Sequence, residues 1–279
     1  MIRTIKQIRG RTLAARDGHI GKVTDLFFDD AFWHVRYVVV ATESHWEQRT
    51  VLIAPEAVHP ADWTDEHFPV DLTVEQVRSS PRVETDQPVS RRQEQELRNH
   101  YGWPLYWDAG FGTGGIVAAV PAPVARAKPT TPPPANPHLR SAENTLGYGV
   151  EASDGSIGHV DEFLVDERSW QIRYLIIDTR NWLPGRKVVV APAWIEATDW
   201  VHRRLVVNLT RDAIKHSPAY DPDLQWNPAY SAELHEHYRR PHYTDWDKDI
   251  VAGAPSLGRD AGSSRNSGSV VPPFRTGRG

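Results

Sequence analysis

Apolar and polar residues alternate along several short runs of this chain, and the runs come in two matching sets. Trp33, Val35, Tyr37 and Val39 alternate with His34, Arg36, Val38 and Val40. Both faces turn apolar late in the run, the pattern of a central strand whose far end is covered on both sides. Trp170, Ile172, Tyr174 and Ile176 repeat it. An extended run over 20–28 precedes it and ends at Asp29-Asp30, matched by Asp166-Glu167. A third run, Val51-Leu52-Ile53, stops at Pro55, where a ladder would lose a donor. A fourth, Phe68 to Leu72, alternates cleanly. Thr73 followed by Gln76 predicts a short capped helix, and Thr210 opens its counterpart. Both helices should end at Ser-Pro, because the residue before proline disfavours helix. Asp17-Gly18 and Asp154-Gly155 lie between extended runs and predict hairpin turns in which the glycine takes a positive φ.

The matching sets are a duplication. The run DGHIGKVTDLFFDDAFWHVRYVVVAT at 17–42 returns as DGSIGHVDEFLVDERSWQIRYLIIDT at 154–179, an offset of 137. The same offset carries Ala54-Pro55 onto Ala191-Pro192, Asp62-Trp63 onto Asp199-Trp200 and Ser80-Pro81 onto Ser217-Pro218. It also carries Leu97 onto Leu234, Pro104 onto Pro241 and Tyr106 onto Tyr243. Between the copies, 116–140 holds seven prolines and no acidic residue, the composition of a semi-rigid linker. The tail 252–279 is rich in Gly, Ser and Pro, with four Arg against one Asp, and is expected to be disordered.

The repeated residues resemble those of the PRC-barrel family, the domain of the photosynthetic reaction-centre H subunit and of the ribosome-maturation factor RimM. The resemblance rests on Asp-Gly-x-Ile-Gly-x-Val at 17–23 and 154–160, on the acidic turn, on Trp-x-(Val/Ile)-Arg-Tyr at 33–37 and 170–174, and on Ala-Pro after the third strand. It covers roughly 8–82 and 145–220 and is fuller in the second copy, which has a Pro-Gly turn at 184–185 where the first has Ser44 to Gln48. The fold expected is all-β with short helices: two tandem, small antiparallel PRC-barrel-like β-barrels. The expected organisation is barrel 1–82, helical aromatic extension 83–115, linker 116–140, barrel 141–220, extension 221–251 and tail 252–279. In the extensions, Ser90 with Gln93 and Asn227 with Pro228 predict helix starts. Leu97 with Tyr101 and Leu234 with Tyr238 then share a face.

Composition narrows the chemistry. The chain has 279 residues, a formal charge of −4 and no cysteine. That excludes disulfides, thiol nucleophiles and Cys-ligated metals, and argues against a generic nucleic-acid binder. No apolar run approaches the roughly 20 residues of a membrane helix, and no charged-then-apolar leader opens the chain, so a cytoplasmic location is expected. Peripheral membrane association stays open.

Candidate sites are few. Gly110 to Gly115 matches a dinucleotide fingerprint formally, but lacks the strand before it and the helix after it, so no cofactor is expected. His235-Glu236-His237 near His242 invites a metal, yet i and i+2 diverge on a helix; no metal is expected and a solvated helix face is. The acidic turns lack the spaced ligands of a calcium loop. Arg36 and Arg173, alike in two apolar strands, read as ion pairs with the acidic turn and, alternatively, as clamps on a partner. Among eleven Trp, Trp33, Trp63, Trp170 and Trp200 fall at matched positions and read as core or rim. Trp103 and Trp107 either dock on their barrel or form a contact patch. Gly18 and Gly155 are expected as structural turn residues, and Arg36, Arg173, Trp103 and Trp107 as candidate partner contacts.

The resemblance implies a non-catalytic adaptor or scaffold that binds protein, docking on a membrane-associated complex of the reaction-centre-H kind. The alternatives are a ribosome-associated adaptor of the RimM kind and an enzyme whose site is not recognisable. No local signature assembles a nucleophile, base or metal. The halves are expected to fold separately and to act as a bivalent pair, against the rival of an intramolecular pseudo-dimer.

Overall fold

A computed structural model describes residues 1–42, 49–59, 67–83, 89–107, 138–179, 183, 185–221 and 226–241. The fingerprint at 110–115, the tail, Trp46, Trp63, Trp182, His242 and Trp246 lie outside them, as does the expected linker up to 137. The first half runs β1 (Ile2–Thr4), α1 (Ile5–Ile8), β2 (Thr12–Ala15), β3 (Gly18–Asp29), β4 (His34–Thr42), β5 (Thr50–Ile53), β6 (His67–Pro69), α2 (Val74–Arg78) and α3 (Arg91–Tyr101). The second half repeats the order: β7 (Leu139–Ser141), α4 (Ala142–Thr145), β8 (Gly149–Ala152), β9 (Gly155–Asp166), β10 (Ile172–Asp178), β11 (Lys187–Val190), β12 (Ile195–Asp199), β13 (Arg204–Val207), α5 (Arg211–Lys215) and α6 (Pro228–His237). Helix starts follow the sequence signals. Thr73 and Ser90 make capping boxes with Gln76 and Gln93, Thr210 caps α5, and Asn227 caps α6 with Pro228 at its first turn.

The protein is mostly β, built on two sheets with a few short helices. One sheet is ordered β5-β4-β3-β2-β6, the other β11-β10-β9-β8-β13-β12. Neither order returns to its starting strand among the described residues. The expectation of purely antiparallel units needs correction, because β2 pairs parallel with β6, and β8 with β13. In each half the chain leaves the third strand through a Pro-led 3-10 turn and comes back beside the first hairpin strand in the same direction.

The two halves exchange their leading strands. β1 pairs antiparallel with β9, and β7 with β3. Leu139 and Arg140, at the end of the expected linker, are thus sheet residues. The contacts obey the repeat offset. Ile2 opposes Asp166 as Leu139 opposes Asp29. Glu167 N–H bonds Met1 C=O as Asp30 N–H bonds His138 C=O, both at 3.0 Å. Arg3 Nε reaches Glu167 at 2.7 Å, and Arg140 Nε reaches Asp30 at 2.9 Å. Each exchanged helix is also met by an acid from the other half: Asp25 accepts from Glu143 N–H at 2.9 Å, and Glu162 from Lys6 N–H at 3.3 Å.

At the centre, His34 opposes Gln171, its own counterpart in the repeat. Val35 N–H bonds Trp170 C=O, and Ile172 N–H bonds Trp33 C=O, each at 2.9 Å. A pseudo-twofold axis therefore passes between His34 and Gln171. Trp33 and Trp170 reach these bonds at φ 55° and 57°, a left-handed backbone that is rare for bulky residues and costs on the order of 1–3 kcal/mol each. Around the axis a single apolar cluster takes side chains from both halves. Phe28 meets Phe163 at 5.9 Å between ring centroids, and Trp33 meets Phe163 at 6.4 Å, within the range of favourable aromatic pairs. A smaller cluster lies under α3 and includes Tyr37, Val39, Leu52 and Leu97.

The two hairpin glycines differ in backbone conformation. Gly155 has φ +140°, but Gly18 does not take a positive φ, and both are first residues of long strands. The glycines that the fold cannot exchange are the next ones in the motif. A Cβ on Gly21 would lie 2.0 Å from Ala41 O, and one on Gly158 would lie 2.0 Å from Asp178 O. The neighbouring strand backbone leaves no room. Gly21→Ala and Gly158→Ala should therefore each lower stability in urea by about 1–3 kcal/mol through overpacking. Gly18→Ala, which meets only the Val74 side chain at 3.3 Å, should cost far less. Equal denaturation midpoints for all three would refute this.

The exchange generates a second prediction. Fragment 1–115 keeps β1 but lacks β7, so the Phe27–Asp29 edge has no partner within the fragment. It should self-associate, with β1 of one copy on β3 of another, and sedimentation equilibrium should show a dimer. A stable, cooperatively unfolding monomer would contradict this.

The axis also predicts a pH dependence. The half-buried His34 ring lies with Nδ1 2.9 Å from Val35 O. Burial, and then the nearby Arg36 charge, push its pKa from 6.5 down to about 3. The unfolded chain binds this proton first, so stability should fall as pH drops below about 6.5 and continue to fall towards 3. His34→Gln, which copies Gln171, should remove that component from unfolding free energies measured between pH 7 and 4.5. An unchanged slope would count against it.

Candidate binding site beneath the helical extensions

Each extension helix lies over a buried strand tyrosine and pins the chain that leaves it. In the first half, Arg98 on α3 is 1% exposed. Its Nε donates to the Tyr37 hydroxyl at 2.9 Å, and one terminal nitrogen donates to Pro104 O at 2.6 Å and to Glu56 at 3.2 Å. Burial, together with the Glu94 charge, raises the Tyr37 pKa far above the phenol range, so the hydroxyl stays protonated. In the second half His235 takes the place of Arg98. Its Nδ1 lies 2.5 Å from Pro241 O and must donate there, which leaves Nε2 to accept from the Tyr174 hydroxyl at 2.9 Å. Ser231 Oγ adds a bond to Tyr174 at 2.7 Å. Two different side chains thus make the same bridge from strand tyrosine to proline carbonyl.

Beyond the pinned proline, the first half fills its site with its own chain. The Tyr106 ring lies under the guanidiniums of Arg36 at 4.2 Å and Arg98 at 4.7 Å. Its hydroxyl donates to Glu94 at 2.7 Å and lies 3.0 Å from His138 Nε2. Glu94 is fully buried and also faces Arg91 at 3.6 Å and His138 at 2.9 Å. Burial, reinforced by Glu94, drives the Tyr106 pKa strongly upward, which keeps the hydroxyl a donor. Arginine above an aromatic face gains cation–π attraction, more so when both are desolvated.

The corresponding place in the second half is a cavity of about 320 Å³. Gln171, Arg173, Trp194, His235, Arg240 and Pro241 line it, and none of the described lining residues is acidic. Ser231 stands where the first half has Glu94, and Met1 where it has His138. The size falls at the lower end of small-ligand pockets.

The residues singled out in the sequence are placed as follows. Arg36 pairs with Asp29 at 2.6 Å and Arg173 with Asp166 at 3.4 Å, both on the acidic turn of their own half. The acidic turns hold arginines, not an isolated charge. Trp103 stacks on Tyr101 at 4.2 Å and packs against the core, so it docks on its own half. Trp107 lies under Arg91 at 4.3 Å and edge-on to Tyr106 at 4.8 Å. Gly18 and Gly155 lie at strand starts, away from the cavity. The His235-to-His237 run is not a solvated face: His235 is buried, and His237 Nε2 lies 2.8 Å from Ala213 O. Among the described residues no group of three or more His, Cys, Asp or Glu is arranged to hold a metal ion. The Tyr37–Arg98 and Tyr174–His235 bridges escaped the sequence reading because the repeat changes one partner's identity. The register that carries Tyr106 onto Tyr243 and Pro104 onto Pro241 was the available signal.

The bridge can be tested directly. Arg98→Ala leaves a buried tyrosine hydroxyl and a proline carbonyl without their donor and should cost about 2 kcal/mol in urea unfolding. Arg98→His, which installs the partner used in the second half, should cost clearly less. A histidine variant as damaged as the alanine variant would show that the two bridges are not equivalent.

Compared with known proteins, the chain matches no protein-family model and no curated protein sequence.

Proposed function

We propose that this protein is a non-catalytic binding scaffold built from two PRC-barrel units, acting in the cytoplasm and docking on a membrane-associated protein complex through the second-half cavity. The observation that carries this reading is the inequality of two equivalent sites. Two halves related by one axis share turns, strands and pinned prolines, yet the first site is built around Tyr106 and a buried carboxylate, while the described residues of the second line a cavity with Arg173, Arg240 and Trp194 and place Ser231 where the first half has Glu94. Function is commonly carried by loops and segments that diverge on a rigid frame. The PRC-barrel assignment is supported by the repeated Asp-Gly-x-Ile-Gly-x-Val and Trp-x-(Val/Ile)-Arg-Tyr motifs. No helix among the described residues is long and apolar enough to cross a membrane.

The ribosomal alternative differs in what is captured. Affinity capture with the whole chain, followed by mass spectrometry, should yield membrane-complex subunits and not ribosomal proteins. Ala193→Trp places a large ring at the exposed mouth of the cavity and should abolish that capture. Val201→Ser, at an exposed turn, should leave it intact. Capture unaffected by Ala193→Trp would refute the cavity as the docking site.

A further inference from the structure

We propose that each half also accepts the opposite half of a second copy of this chain, so that two chains close around each other as a dimer with exchanged halves. The Arg9–Glu143 ion pair and the His34–Gln171 contact select opposite halves over like ones. This interaction goes beyond docking on another complex and does not depend on the cavity.

The junction between the halves has the form of an interface between subunits. Each half supplies a leading strand that covers an edge of the other, β1 on β9 and β7 on β3. Each supplies an arginine to the other's acidic turn, Arg3 to Glu167 and Arg140 to Asp30. Trp200 of the second half also meets Phe28 and Trp33 of the first, both at 6.4 Å between ring centroids. The axis relates the strand and arginine contacts in pairs, as in an isologous dimer. None of them requires the two halves to belong to one chain. The covalent connection through 108–137 raises the effective concentration of one half near the other and adds no bond to the junction itself. The opposite half of a second copy makes the same bonds, and two such junctions close a dimer in which β3 and β9 are covered as before.

The repeat is not symmetric in charge at this junction, and that sets which halves fit. Arg9, at the end of α1, pairs with Glu143 on α4. Glu143 is the repeat counterpart of Lys6, and Leu146 is the counterpart of Arg9. Two first halves brought together about the same axis would set Arg9 against Lys6 twice, and two second halves would set Leu146 against Glu143. Only opposite halves place a cation against an acid. At the axis, Gln171 Nε2 donates to Phe32 O at 2.5 Å and to Trp33 O at 3.1 Å. Two first halves would put His34 in place of that amide. Fragment 1–115 has only a like half to pair with, whereas the full chain has the choice.

The test uses full chains. Glu143→Arg puts two cations at the contact, and Arg9→Glu puts two acids there, so each variant repels within its own chain. Across an exchanged dimer of one with the other, both contacts become cation against acid. Refolded together from urea at about 1 mM, near the effective concentration of a flexible tether, the two should form a heterodimer. Native mass spectrometry should show it about threefold or more above random mixing, and about 1 M salt should abolish the excess. The chain carrying both changes restores the pair and should behave as wild type. Wild-type dimer, read by sedimentation velocity, should rise with refolding concentration and vanish roughly a thousandfold below that point. Random mixing of the variants would place dimerisation on another surface and overturn the proposal. Arg9→Glu alone dimerising more than the mixture would show like halves pairing, because it turns both Arg9–Lys6 contacts attractive, and would overturn it as well. Monomers at every concentration in the wild type and in the mixture would also refute it.

Discussion

Two hydrogen bonds across a pseudo-twofold axis, Val35 to Trp170 and Ile172 to Trp33, are the constraint on which the rest of this structure depends. They join the β4 and β10 regions of the two halves end to end. The geometry requires a left-handed backbone at both tryptophans, and the repeat keeps tryptophan at both places because the rings also fill the shared core. The exchanged strands follow from the same arrangement. β2 covers only the start of the long β3 edge, from Gly18 to Lys22, and β7 from the other half covers Phe27 to Asp29. The second half does the same with β8 and β1. An uncovered strand edge is a site for unwanted pairing, and here each half covers the other's.

Within that symmetric frame the polar chemistry has diverged. The acidic turns are held alike in both halves, each taking an arginine from its own strand and another from the exchanged strand. The sites under the extension helices are not. Where the first half has Arg98, Glu94 and His138 around Tyr106, the second has His235, Ser231 and Met1. A buried network of charges is stable only when every member is partnered, so it is difficult to alter one residue at a time. Where the carboxylate is absent at Ser231 the neighbouring cations differ too, and the described residues there line a cavity that includes the strand arginine Arg173. The difference between the two equivalent sites leaves the shared core untouched.

The elements themselves were legible along the chain. The alternation from Trp33 to Val40, the capping residues Thr73, Ser90, Thr210 and Asn227, and the Ser-Pro stops act within a few residues, so they appear wherever the local sequence carries them. The 137-residue register placed equivalent positions in two copies, and it also placed Tyr106 opposite Tyr243. Other features were missed for identifiable reasons. Asp-Gly at 17–18 looked like the position that requires glycine, but the requirement falls on Gly21, because it is imposed by the approach of Ala41 on a neighbouring strand. His235 looked solvated from its helical neighbours, yet Tyr174 and Pro241 bury it from outside the helix.

Local order, repeat register and the polarity of each strand face were therefore determined by the sequence, because each depends on short-range sterics and hydrogen bonding. The parallel closure of β2 on β6, the exchange of leading strands, and the burial of Tyr37 and Tyr174 beneath the extension helices were decided only by the tertiary structure. These depend on contacts between residues as far apart as Ile2 and Asp166, and no local pattern encodes which half supplies the partner. A strand with the right alternation pairs equally well with its own half or its twin. The choice between them rests on the turn at Trp33 and Trp170, which brings the two halves together end to end.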